Sequence, residues 1–405
     1  MFLHTILNQI FSRSLIIIFN QISIFFIISL IAVRFDLETF GHFGQAMILI
    51  QIGWIVSNFG LINYSIESKL KLKRSKLLSK FVWLAILQIL LLSVTYVLFL
   101  FCLIQLNILN LPEKYYLFTI PSIIFGSFHC MWFFQSMNEP NILVKVTFYS
   151  RLIFLLATYF FIFNDNHLHF FIIQAASLLI VALYSLRVMF YKYNLNFSLP
   201  PMINVFNTTK YQLPFFINLI TNTHINILWS FAASLSLSPA MMSIYYIGDQ
   251  IFRSCGAFSS IFSQVFRSNT LGQKNKKLIN YFKKIIWFYV AIFGLIAIAA
   301  LLYFYYYLPT NYIDGLNITL LMILAALLSA INKLLNYPIL GKKFGYLYVN
   351  KLSTNFLILN IIVILIWYFV IKMITLVPIL LIITLLLQIL FLSYKYIYKP
   401  AKNKT

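Results

Sequence analysis

Charged residues and cysteines are both scarce in this sequence. Only 9% of its 405 residues are charged, eight are acidic and three are cysteines. Cys102, Cys130 and Cys255 all fall in apolar segments, show no CxxC spacing and have no cluster of histidines beside them. A metal site needs such a cluster of ligands. No metal site is therefore predicted, and the cysteines are interpreted as small core residues.

Motifs for common enzyme chemistry are also missing. The chain has no G-x-x-x-x-G-K-[ST] loop for ATP, no H-E-x-x-H, no serine nucleophile elbow and no paired acidic motif. No catalytic residue and no cofactor are predicted. Coupling to an ion gradient stays open as an energy source, and the sequence identifies no coupling ion.

Apolar residues make up 62% of the sequence, and the mean hydropathy is +0.90. A water-soluble domain of this size would aggregate with such a composition, so we expect an all-α polytopic membrane protein. The net charge of +22 does not indicate nucleic-acid binding, because the basic residues lie between the apolar segments and not on a soluble surface. Contact with anionic membrane lipids is the better expectation.

Breaks at charged, proline-rich and asparagine-rich positions divide the chain into about 12 apolar segments of membrane-spanning length. Their predicted limits are 14–33, 41–62, 81–106, 116–137, 142–163, 170–190, 211–234, 241–265, 285–307, 315–337, 352–371 and 374–394. The longest inner connection contains Pro200 and Pro201 and separates six segments from six. This spacing predicts a six-helix lobe over 1–190, a cytoplasmic linker over 191–210 and a second lobe over 211–405, around a central cavity.

The basic residues predict the orientation. Of the 30 Lys and Arg residues, only Arg34, Lys114 and Lys372 fall on the far side, and only Arg151 and Arg253 fall within spans, if the N-terminus is cytoplasmic. All others, including Lys333, are assigned to inner loops or to the ends of the chain. Because inner loops are enriched in Lys and Arg, we expect both termini in the cytoplasm.

The eighth segment, 241–265, carries an unusual polar stripe. Steps of three or four residues lead from Asp249 and Gln250 through Arg253 and Gly256 to Ser260. Asp249 and Arg253 are four residues apart, which allows them to pair on one helical face. Charged residues in membrane helices usually face a bundle interior or a watered cavity. The pair is either a structural link between helices or the wall of a cavity for a charged or sugar-rich cargo.

Other helices also carry polar faces. Asn218, Asn222 and Asn226 repeat every four residues on the seventh segment, Gln51 lies on a polar face of the second, and Arg34 lies at the end of the first. Such residues often join helices by hydrogen bonds, which is the alternative for each of them. As a set, they favour a shared cavity lining.

Two stretches resemble a known family. Residues 131–139, MWFFQSMNE, with Arg151 following, are similar to the W-F-F-Q-G-x-E signature of the Wzx-type O-antigen flippases, in the multidrug/oligosaccharidyl-lipid/polysaccharide exporter superfamily. Ser136 replaces the usual glycine, and one extra residue precedes the glutamate. Residues 37–44, LETFGHFG, resemble the family's L-G-x-x-x-F-G-x-F turn before its second span.

The resemblance implies a flippase of the bacterial inner membrane. Its cargo would be an undecaprenyl-pyrophosphate-linked oligosaccharide, carried from the cytoplasmic to the periplasmic leaflet by alternating access, with other polysaccharide assembly proteins as partners. Arg253, paired with Asp249, together with Arg151 and Arg34 would meet the pyrophosphate. Sugar hydroxyls would meet the amides of Asn218, Asn222, Asn226, Gln250 and Gln51.

Two other functions stay open. An exporter of small cations or drugs should have an excess of acidic groups in its cavity, whereas the predicted spans contain Arg151 and Arg253 against Asp249. A membrane-embedded polysaccharide polymerase or ligase needs a large periplasmic loop, and no outer loop here has that length.

Overall fold

The structure is a computed structural model, and it describes residues 23–67, 75–137, 139, 141–162, 168–223, 225–270, 275–340, 346–371 and 373–398. Across these ranges every long regular element is a helix. The α-helices are α1 (Ser23–Arg34), α2 (Leu37–Asn58), α3 (Leu61–Glu67), α4 (Ser75–Gln105), α5 (Glu113–Ser127), α6 (Met131–Ser136), α7 (Asn141–Ile162), α8 (His169–Lys192), α9 (Met202–Thr223), α10 (Ile225–Ser236), α11 (Pro239–Thr270), α12 (Asn275–Tyr306), α13 (Gly315–Leu334), α14 (Tyr346–Ile366) and α15 (Leu376–Tyr398).

Eight of the described helical stretches are long and apolar enough to cross a membrane. They are Leu37–Ile66, Leu77–Gln105, Glu113–Ser136, His169–Lys192, Phe282–Tyr306, Gly315–Leu334, Lys351–Val370 and Leu376–Tyr394. The described parts of two more apolar helices, Ser23–Arg34 and Ile225–Ser236, are shorter. These elements confirm the predicted all-α polytopic membrane protein, while the count of about 12 spans and the central cavity stay predictions.

α11, which covers the predicted eighth span, is not among the eight. Its length of 32 residues is sufficient, so the polar residues of its stripe are what make it less apolar than those eight stretches. Such a helix needs protein neighbours along its polar face, because lipid does not satisfy charged or amide side chains.

The contacts divide the chain into two compact units. One is His42–Ile217, and the other combines the described residues up to Gly41 with those from Asn218 onward. α1 is thus grouped with the C-terminal helices, which the sequence did not indicate. Part of the predicted linker is helical, since α9 already begins at Met202. The lobes 1–190 and 211–405 stay a prediction.

The predicted fourth span, 116–137, is two helices and not one. α5 ends at Ser127 and α6 begins at Met131, and between them Cys130 has a left-handed backbone with φ of 44°. A residue with a Cβ adopts this conformation only at a local energetic cost, so the chain turns here instead of continuing the helix.

α2 and α11 begin with capped turns that meet inside one unit. Asp36 Oδ2 accepts the backbone N–H groups of Glu38 and Thr39, each at 3.1 Å, and Ser238 Oγ accepts that of Met241 at 3.4 Å. Hydrogen bonds from Thr39 hold the pKa of Asp36 below its ordinary value. A Cβ added at Gly41 would lie 1.7 Å from the carbonyl oxygen of Pro239. Only glycine permits this approach of the two helix starts.

Candidate functional site

α11 packs along α13, and small residues allow the two helices to come close. Gly248 faces Thr319 and Met322, since an added Cβ would lie 3.4 Å from the Cα of Thr319 and 3.3 Å from the Cγ of Met322. Close backbone approach at small residues is a common way to pack membrane helices. The pairing places the polar stripe of α11 inside the protein and not against lipid.

Asp249 is the centre of this stripe, and its side chain has 0% exposure. Its Oδ2 accepts a hydrogen bond from Arg253 Nε at 2.6 Å, as the four-residue spacing predicts. Its Oδ1 accepts hydrogen bonds from Ser230 Oγ at 2.7 Å and from Asn226 Nδ2 at 3.3 Å, both on α10. Ser230 Oγ also lies 3.3 Å from the hydroxyl of Tyr245. The carboxylate is therefore neutralised and has partners on both oxygens.

Two neighbouring side chains, Arg253 and Gln250, keep donors that have no partner in the described part of the chain. Arg253 is 11% exposed, and its Nη2 is buried with no hydrogen-bond partner among the described residues. Gln250 is 2% exposed, and its Nε2 is also buried with no hydrogen-bond partner among the described residues. A buried donor without an acceptor costs about 1–3 kcal/mol, so these groups favour an acceptor that the described residues do not supply.

Lys333 extends the stripe, and the sequence interpretation of it as an inner-loop residue is wrong. It lies in the last turn of α13 and is only 6% exposed. Its Nζ donates to the carbonyl of Gly256 at 3.0 Å and to Ser260 Oγ at 3.1 Å. The signal was present in the sequence, because Lys333 continues the buried face of Met322, Ala326 and Ser329 at helical spacing.

The structure places the other predicted site residues as follows. Asn218 is buried on α9 and belongs to the same unit as Asp249, and Asn226 contacts Asp249 directly. The side chain of Asn222 lies outside the described residues. Arg34 is exposed at the end of α1. Their proposed contacts with cargo stay predictions.

Gln51 and Arg151 lie in the His42–Ile217 unit. Gln51 is half-buried on α2. Arg151 is half-buried on α7, where its guanidinium carbon lies 5.6 Å from the ring centre of Phe154. This distance fits a cation–π contact. The contact holds the Arg151 side chain against its own helix, and the role of each residue towards cargo stays a prediction.

The stretch 131–139 forms a structural core. Trp132, Phe133 and Phe134 are buried against α4, α7 and α8. Glu139 accepts hydrogen bonds from Lys192 Nζ and, at 2.7 Å, from the hydroxyl of Tyr193. These bonds, with Lys192 as the main cause, hold the pKa of Glu139 below its ordinary value of 4.5. The stretch thus fastens the turn after α6 to the end of α8.

An apolar cavity of about 700 Å³ lies on the side of α11 opposite its polar stripe. Its lining includes Phe25 and Phe26 from α1, Ile251 and Phe258 from α11, and Ile292 and Ile296 from α12. Its surface suits an alkyl chain and not a sugar, because almost all of its lining atoms are apolar.

The described helices and this buried polar centre define an all-α polytopic membrane protein with a charged site between helices. A family model described as polysaccharide biosynthesis protein matches residues 6–254, more than half of the chain. The chain belongs to that family. No curated protein matches the chain significantly.

Proposed function

We propose that this protein is a flippase of the bacterial inner membrane. It carries an undecaprenyl-pyrophosphate-linked oligosaccharide, such as an O-antigen repeat unit, from the cytoplasmic to the periplasmic leaflet by alternating access. It acts as a transporter and not as an enzyme, with both termini in the cytoplasm. Membership of the polysaccharide biosynthesis family supports a lipid-linked glycan as cargo.

One observation carries the proposal. In the polar centre formed by Asp249, Gln250 and Arg253, the buried groups that lack a hydrogen-bond partner among the described residues are donors. Arg253 Nη2 and Gln250 Nε2 are buried with no acceptor among the described residues, whereas Asp249 has partners on both oxygens. A pyrophosphate and its sugars offer many acceptor oxygens, and a guanidinium can bind two phosphate oxygens at once. A cationic drug offers the opposite chemistry, since it needs acceptors and negative charge.

The contacts divide the roles within the site. Asp249 orients Arg253 through the 2.6 Å bond to Nε, which leaves the outer end of the guanidinium for the ligand. Asn226 and Ser230 hold Asp249 from α10 and act as positioning residues. Gln250 supplies an amide donor one helical turn from Arg253.

The test compares single and double variants of the pair in a strain that lacks the chromosomal gene. If Arg253 binds the pyrophosphate, then Arg253→Gln and the Asp249→Asn, Arg253→Gln double variant both insert but export no glycan. Arg253→Lys should be partly active, because a point charge replaces the planar guanidinium.

Surface polysaccharide is measured, with protein level in the membrane as the control. Full rescue of export by the double variant would show that Arg253 serves only to neutralise Asp249. That result would contradict the proposed role of Arg253.

A further inference from the structure

Lys333 is a buried cation with no carboxylate partner among the described residues. Its two described contacts are to neutral oxygens, the Gly256 carbonyl at 3.0 Å and Ser260 Oγ at 3.1 Å. An ammonium group has three N–H donors, so one remains after these two bonds. Burial of a charge without an opposite charge is costly, and an apolar residue of similar size would be more stable at this position.

The acidic side chains that the structure describes do not supply the missing charge. Of the eight, Asp249 is buried and already bound by Arg253. The structure gives no ion pair between Lys333 and any carboxylate of the described residues. The side chains of Asp249, Arg253 and Lys333 therefore carry a net charge of +1.

Lys333 contacts α11 on the helical face to which Arg253 belongs. The contacts of Lys333, Gly256 and Ser260, follow Arg253 by three and seven residues, which is the spacing of one face of a helix. One turn of helix rises by about 5.4 Å. Lys333 Nζ thus binds α11 within the two turns that follow Arg253, while the Arg253 guanidinium bonds to Asp249 one turn before it. Arg253 Nη2 and Gln250 Nε2 find no acceptor among the described residues.

We infer that Lys333 and Arg253 form a two-cation site that distinguishes a diphosphate from a monophosphate. A diphosphate has two adjacent phosphoryl groups, so that each cation binds one of them. A monophosphate binds at one cation and leaves the N–H donor of the other, on Arg253 Nη2 or Lys333 Nζ, without an acceptor among the described residues. The inference rests on the proposed function and deepens it, because it assigns a specificity-determining role to a residue of α13.

The test uses the purified full chain and two probes with the same chain, farnesyl diphosphate and farnesyl monophosphate. Binding is measured by calorimetry for the wild type, Lys333→Met and the control Lys351→Met, which removes an exposed lysine of α14. Thermal unfolding of each variant is measured in parallel. If Lys333→Met inserts poorly, Lys333→Gln takes its place.

The wild type and Lys351→Met should bind the diphosphate more tightly than the monophosphate. In Lys333→Met this preference should fall by about tenfold or more, since a hydrogen bond from a charged group is lost. Its melting temperature should stay equal or rise, because an unpaired buried charge is removed. A merely structural lysine would give the opposite result, a lower melting temperature with the preference intact, and that would overturn the inference.

Failure of this inference and failure of the proposed function give different results. If Lys333→Met keeps the full diphosphate preference while Arg253→Gln stops glycan export, the two-cation site is wrong and the flippase proposal stands. If the preference depends on Lys333 but the wild-type gene restores no surface polysaccharide to the strain that lacks it, the flippase proposal is wrong and the two-cation site stands. A wild type without any preference would overturn the inference.

Discussion

Asp249 accepts hydrogen bonds from side chains of two helices, and this explains how a carboxylate is accommodated in a membrane segment. Arg253 supplies the charge, and Ser230 and Asn226 supply the remaining donors. The pairing with Arg253 was predictable, because both residues lie on one helix at fixed spacing. The contacts from α10 were not, since sequence periodicity does not give the register between two helices.

Ser230→Ala tests the support of Asp249. It removes the 2.7 Å donor from Oδ1 and leaves, among the described residues, the longer bond from Asn226, so we expect a loss of about 1–3 kcal/mol in stability. The matched control is Ser236→Ala on the same helix, whose hydroxyl donates to the Ala232 carbonyl one turn earlier. Melting temperatures of the purified variants should differ clearly, and equal losses would contradict the role of Ser230.

Lys333 shows where interpretation of charge from sequence fails. Counting basic residues at the ends of apolar segments assigns each one to an aqueous loop. That rule ignores helical phase, and Lys333 lies on the face that also buries Met322 and Ser329. A lysine at the end of a span needs both its loop position and its helical face to be considered.

At the scale of helices, most segments were predicted to within a few residues, but breaks inside them were not. The predicted fifth span, 142–163, agrees well with α7 at Asn141–Ile162. The predicted fourth span is interrupted at Cys130, whose left-handed backbone has no sequence signal because cysteine rarely adopts it. The predicted seventh span, 211–234, overlaps α9 and α10, and residue 224 between them lies outside the described residues.

The meeting of α2 and α11 at their starts gives a prediction at this scale. In Gly41→Ala the new Cβ would lie 1.7 Å from the Pro239 carbonyl oxygen, so the helices must separate. Overpacking of this kind typically costs about 1–3 kcal/mol. Gly294→Ala is the control, because no described residue lies within 4 Å of its added Cβ, and it should be neutral or stabilising. A Gly41→Ala variant as stable as Gly294→Ala would show that this contact is not required.

At the scale of the whole molecule, the amino-acid composition was sufficient to predict the class of protein. An apolar content of 62% in a chain of 405 residues leaves no alternative to a membrane, and the described helices agree. The grouping of α1 with the C-terminal helices was not predictable, because a 6 + 6 division of the sequence assumes that neighbours in the chain stay neighbours in space.

The orientation of the chain gives a further prediction. Reporter fusions after Lys80, Lys210, Lys284 and Lys351 should all report the cytoplasm, since loops rich in Lys and Arg resist translocation. Alkaline phosphatase and a fluorescent protein serve as reporters for the two opposite sides of the membrane. Phosphatase activity at any of the four positions would contradict the arrangement with both termini in the cytoplasm.

The central claim is that the protein moves a lipid-linked glycan between leaflets through a site that contains Arg253. Its most direct test is transfer of a labelled undecaprenyl-pyrophosphate-linked oligosaccharide across vesicles that contain the purified protein. We expect wild-type vesicles to exchange the label between leaflets, while Arg253→Gln vesicles match protein-free ones. Exchange at the wild-type rate in Arg253→Gln, or no exchange above protein-free vesicles in the wild type, would contradict the account.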